Sequence, residues 1–156
     1  MSPSVAHAAG QRAGQPIPRP DSRGNRLAVQ WGVVGGVATA ATPLAFWWLP
    51  AATVYAVGLV LIAAVYVGFA VADGRRGVLA VETVVTSAFV ILAAVAMTGT
   101  PWLLVAGLVG HGLKDLWQHR TGFVAGTRWW PPFCVSVDWV AALLVALVIT
   151  TGHPLR

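Results

Sequence analysis

Residues 51–72 read AATVYAVGLVLIAAVYVGFAVA, 22 positions without a charged side chain. At about 1.5 Å of rise per residue a helix of this length measures roughly 33 Å, enough to cross the hydrocarbon core of a bilayer. It is apolar around its whole circumference, and a chain of 156 residues has too little interior to cover it. Lipid is the medium that does.

Four runs of the same kind accompany it, at 27–47, 78–97, 101–119 and 133–151. The breaks between them are rich in Gly and Pro: Leu49-Pro50, Asp73-Gly74-Arg75-Arg76-Gly77, Thr98-Gly99-Thr100, and a longer one from Arg120 to Pro132. Pro43 is expected to kink the outer third of the first run. The fold expected is all-α, a polytopic transmembrane bundle of five helices over 27–151 without internal repeats. A tail at 1–26, rich in Pro, Gly, Ser and Arg, has too few large apolar residues to offset its ordering entropy and is expected to be disordered. Residues 152–156 form a short external tail.

Composition agrees with residence in a membrane. Apolar residues make up 57% and charged residues 10%, against about 25% charged in soluble domains. Mean hydropathy is +0.73. The net charge of +5 comes from scattered residues, without the basic stripe and stacking aromatics that nucleic-acid binding calls for. The partners implied are membrane lipid and either further copies of the chain or other membrane subunits, with no nucleic acid. Cys134 is the single cysteine, so no intrachain disulfide can form. No apolar signal region precedes the first run.

The basic residues set direction. With the N-terminus inside, the cytoplasmic segments hold Arg12, Arg19, Arg23, Arg26, Arg75, Arg76, Lys114, Arg120 and Arg128, and the opposite side holds Arg156. The positive-inside rule then gives a cytoplasmic N-terminus and an external C-terminus, in the cell (inner or plasma) membrane. Tryptophans sort the same way. Trp47, Trp48 and Trp102 fall at the outer boundary, and Trp31, Trp117, Trp129 and Trp130 at the inner one. Small residues at every fourth position mark possible helix contacts: Gly32, Gly36 and Ala40; Ala64 and Gly68; Ala106 and Gly110.

Against this background the stretch HGLKDLWQHR, residues 111–120, stands out. An ionisable group at membrane depth costs several kcal/mol unless it is paired, wetted or bound to an ion, so it is a functional-site candidate by default. At about 100° per residue, Lys114, Asp115, Gln118 and His119 fall within about 80° of His111 on one helix face. Glu82 enters early on the third helix and Asp138 early on the fifth, both from the inner side. His111, Asp115, Glu82 and Asp138 therefore lie within roughly 12 Å of one another along the membrane normal. Tyr66 and Gln30 occupy similar levels.

Three readings of this cluster stay open. A divalent metal, zinc or iron, is one, with ligands drawn from His111, Asp115, His119 and Asp138 and with Glu82 or Asp138 as general base. Such a centre fits a membrane-embedded, metal-dependent hydrolase of a lipid-like substrate. The second is a structural cluster, in which Lys114 pairs with Asp115, His119 is solvated at the headgroups and Asp138 pins helices, as in a non-catalytic membrane subunit. The third is an ion path in a small transporter. It would need polar residues on through the outer leaflet, where Thr39, Thr42 and Thr53 are the main ones. Thr83, Thr86 and Ser87 are expected to bond their own helix backbone, and Asp73 to shape its turn.

The block His111-x3-Asp115-x2-Gln118-His119-Arg120-x-Gly122, followed by Trp130-Pro-Pro-Phe-Cys134 and Asp138, resembles a group of small bacterial integral-membrane proteins of unassigned function. The resemblance covers about a quarter of the chain, from Gly110 to Asp138. It implies that His111, Asp115, His119, Cys134 and Asp138 belong together. Gln118 stands where that group carries the first histidine of a pair. A fainter likeness is to membrane-embedded zinc hydrolases of lipid amides, which have more spans and a third histidine than this chain offers.

Overall fold

The structure, a computed structural model, describes residues 22–152 and Leu155. Five helices are present among the described residues: α1 (Ser22–Ala45), α2 (Ala51–Asp73), α3 (Arg76–Thr98), α4 (Trp102–Thr121) and α5 (Trp130–Thr150). The protein is all-α. Helices α1, α2, α3 and α5 are long and apolar enough to cross a membrane, and α4, carrying the polar run, is not. The tail expected at 1–26 lies outside the described residues up to position 21, and helix α1 already runs from Ser22. Of the external tail, Gly152 and Leu155 are described.

Local chemistry accounts for the ends. Gly74 follows α2 in the left-handed region (φ 77°), its N–H donating to Ala70 O at 3.3 Å. Helix α5 starts at Trp130, three residues before the run read from sequence, with Pro131 and Pro132 inside its first turn. The first turn has no intrahelical acceptors for its N–H groups, so proline is at home there. Pro43 lies within α1, where its missing N–H leaves the Thr39 carbonyl short of a donor. The Thr42 hydroxyl takes that place, donating to Thr39 O at 2.6 Å.

Helix α1 packs chiefly on α5, α5 on α4, and α3 on α2. Lipid tails are as apolar as side chains, so close packing and polar contacts hold such a bundle together. Gly32 and Gly36 let α1 settle on α5: a Cβ at Gly32 would fall 2.6 Å from Ser136 Cβ, and one at Gly36 would fall 2.6 Å from Val140 Cβ. The other two small-residue faces do not pack. Ala64, Gly68 and Ala106 are exposed, and nothing lies within 4 Å of a Cβ placed at Gly68 or Gly110. Gly107, against Leu59, and Gly112, against the Trp139 indole, make the close approaches on α4 instead. Spacing alone does not say which side of a helix meets a neighbour.

Side-chain hydrogen bonds stitch the helices. Tyr55 donates to Ala40 O at 2.7 Å, joining α2 to α1. Thr83 and Ser87 donate to their own helix, as their sequence positions suggest, while Thr86 donates across to Ala63 O of α2 at 3.1 Å. Asp73 does more than shape a turn. It accepts from Arg75 Nε at 2.6 Å and from the Ala125 N–H at 2.8 Å, and Arg75 Nη2 reaches Phe123 O at 2.7 Å. The α2–α3 turn and the α4–α5 loop are thereby clasped, and the Asp73 carboxylate beside it holds the Arg75 guanidinium pKa above its ordinary value.

Large apolar side chains cover the outside. On α4, Val109, Leu113 and Trp117 are exposed while His111, Asp115 and Gln118 are buried. That helix turns its polar stripe inward and its apolar stripe outward, the reverse of a helix in water.

Candidate metal centre

Four helices bring polar side chains to one level of the bundle. His111 and Asp115 stand one turn apart on α4, where the i, i+4 spacing puts them on one face. Asp138 comes from the first half of α5, Glu82 from that of α3, and Tyr66 from the last third of α2. Each of His111, Asp115, Asp138, Glu82 and Tyr66 has 0% of its surface exposed.

His111, Asp115 and Asp138 form the centre. His111 Nδ1 is 2.8 Å from Asp138 Oδ2 and 3.5 Å from Asp115 Oδ2. One ligand atom from each of the three lies within 4.8 Å of those of the other two. The imidazole is fixed from two sides by ring contacts, to Tyr66 at 5.9 Å and to Phe89 at 5.1 Å between centroids. Gly112 is the reason α5 comes this close: any side chain there would meet the Trp139 indole, next to Asp138. The Tyr66 hydroxyl lies beside the Asp115 carboxylate.

A second pair sits alongside. Lys114 Nζ is 2.8 Å from Glu82 Oε2, Gln118 donates to Glu82 Oε1, and the ammonium lies 3.5 Å from the centroid of the Tyr66 ring. The partner of Lys114 is thus Glu82 on α3 and not Asp115 on its own helix, the pairing that the structural reading of the sequence supposes. Glu82, held by both Lys114 and Gln118, is not one of the three converging ligands. His119 is exposed in the last turn of α4 and does not join the trio. It lies two turns past His111, roughly 12 Å along the axis, so a helical rod cannot fold it back. Cys134 is buried one turn before Asp138, but its thiol is not one of the converging ligand atoms. Gln30 is exposed on α1 and takes no part.

The charge balance is informative. Glu82 and Lys114 cancel, which leaves two carboxylates and one imidazole in a site closed to water. Unused valences remain there: His111 Nε2 and Asp138 Oδ1 are buried without hydrogen-bond partners, and Asp115 has only the Tyr66 hydroxyl and the His111 ring beside it. Buried polar atoms are nearly always satisfied, by protein, water or an ion. A divalent cation would neutralise both carboxylates and use these lone pairs, so the residues present fit such an ion. The same three residues also make sense as a self-contained cluster on the imidazole, with Asp138 as the nearer partner.

Comparison with known proteins finds no matching family model, no matching curated protein and no matching solved structure.

Proposed function

We propose that this is a multi-pass protein of the cell membrane whose His111, Asp115 and Asp138 bind a divalent cation, zinc or iron, and that the centre acts on a lipid-like substrate. The observation that carries the reading is the convergence of three fully buried side chains, with His111 Nε2 and Asp138 Oδ1 left without partners. All five helices cross the bilayer in this reading, α4 included, because its polar stripe is covered by α2, α3 and α5. Arg23, Arg26, Arg75, Arg76, Arg120 and Arg128 all lie at the end of the bundle nearer the trio, which supports a cytoplasmic N-terminus, an external C-terminus and a site in the inner leaflet.

An imidazole with two carboxylates is a donor set that zinc and iron accept, and such an ion supplies Lewis acidity and a more acidic water. With Glu82 engaged by Lys114, the oxygens of Asp115 and Asp138 are the ones left to take a proton from an attacking group. The likeness of the 110–138 block to the small bacterial membrane proteins is consistent with these residues acting as a unit.

Elemental analysis of protein purified without chelator tests this. Near-stoichiometric zinc or iron in the wild type, lost in His111→Ala and Asp115→Asn, is the expected outcome. Metal-free wild type that stays metal-free after incubation with either ion would sink the reading.

A second reading is favoured by one feature: the His111–Asp138 and Lys114–Glu82 contacts, each at 2.8 Å, already tie α4 to α5 and to α3 without an ion. In it the cluster pins α3, α4 and α5 within a non-catalytic membrane subunit. That protein would keep its stability in chelator and would co-purify with other chains.

A further inference from the structure

We propose that the interior between α2 and α5, at the arginine-bearing end, binds the head of an anionic acyl lipid, with Trp130 Nε1 donating to one of its oxygens. As the identity of the substrate at the trio, this rests on the metal reading. As a binding site, it stands on three observations of its own.

The first is how that space is filled. Helices α2 and α5 both face the trio, through Tyr66 and Asp138, yet among the described residues no Cα of one comes within 8 Å of a Cα of the other. Aromatic side chains bridge the gap. Tyr66 meets Phe69 at 6.0 Å, Phe69 meets Trp130 at 5.5 Å, and Trp130 meets Trp129 at 5.1 Å between centroids. With the Tyr66–His111 contact, a run of rings leads from the buried imidazole to Trp129, which is 54% exposed. Rings can change rotamer without unpacking a helix pair, so this run offers a way to open the closed trio.

The second is an unmet donor. Trp130 Nε1 is buried without a hydrogen-bond partner. An indole N–H can only donate. What it lacks is therefore an acceptor, such as a phosphate, ester or carboxylate oxygen.

The third is charge. Six arginines are exposed at this end, and the one described carboxylate outside the buried cluster, Asp73, is taken by Arg75. That excess attracts anionic headgroups. The flanks of the bundle are apolar, so a ligand that enters between helices comes from the bilayer and brings acyl chains with it.

The experiment uses the full chain in vesicles containing a phosphatidylglycerol with a diazirine near its headgroup, or the matching phosphatidylcholine. After irradiation, labelled peptides are mapped, and metal is measured on the same preparation. Labelling concentrated around Phe69 and Trp130, and stronger with phosphatidylglycerol, is expected. Trp130→Phe keeps the ring, removes the donor, and should lower that labelling about two- to tenfold, the worth of one hydrogen bond, with metal content unchanged. Label spread evenly over the apolar flanks of the wild type, or undiminished in Trp130→Phe, overturns the proposal. The wild-type map decides even if the variant folds poorly. Focused labelling of a metal-free protein would retain the lipid site and remove the metal reading. Metal without focused labelling would do the reverse.

Discussion

His111 on α4 and Asp138 on α5 are joined Nδ1 to Oδ2 at 2.8 Å, with both side chains fully buried. Twenty-seven residues and a loop separate them in the chain, so this contact fixes how α5 sits on α4. Removing one partner of a buried hydrogen bond leaves the other unsatisfied, at about 1–3 kcal/mol. Asp138→Ala should therefore lower stability by at least about that much, measured by urea or thermal unfolding in micelles.

Added metal should separate the two readings of the trio. A ligand that binds only the folded state raises its stability. Zinc should thus raise the unfolding midpoint of the wild type and leave that of Asp115→Asn unmoved. Equal responses from the two proteins would favour a purely salt-bridged cluster.

Glu82 and Lys114 should behave as a couple. Glu82→Gln alone strands the ammonium and Lys114→Met alone strands the carboxylate, each a large loss. The double variant should recover much of it, giving a coupling of about 1–3 kcal/mol in a double-mutant cycle. The same cycle on Lys114 and Asp115 should give a smaller value, since the structure pairs Lys114 with Glu82.

Helix α1 is held on α5 by close approach at Gly36, where an added Cβ would press on Val140 and on the Val137 carbonyl. Gly36→Leu should push α1 away. Cysteine crosslinking between α1 and α5 in membranes should fall sharply. The conservative Val33→Leu, on an exposed position of the same helix, should leave it unchanged.

The clasp at the loops has its own signature. Asp73→Ala removes the acceptor of the Ala125 N–H, so hydrogen exchange at Ala125 should accelerate while exchange in the middle of α2 stays slow.

Much of the fold was legible in the chain because lipid reads composition directly. An uncharged run of 22 residues at 51–72 admits almost no structure but a buried or lipid-covered helix. The meeting of His111, Asp115 and Asp138 was legible as well, since residues entering from the same side by similar distances arrive at similar depth. Azimuth across helices was not. Depth counts placed Glu82 with the trio, whereas the rotation of α3 gives it to Lys114 and Gln118. Tyr66 was recognised by level alone, and its place between Lys114 and His111 depends on how α2 is turned.

The sequence by itself therefore determined helical character, the number of helices and the level of the polar residues, because each depends on local composition and a fixed rise per residue. Which small residues touch, which carboxylate takes the lysine and which histidine is sealed inside were decided by tertiary packing. Those depend on the rotation of each helix about its own axis, and that rotation is set by neighbours far away in the chain.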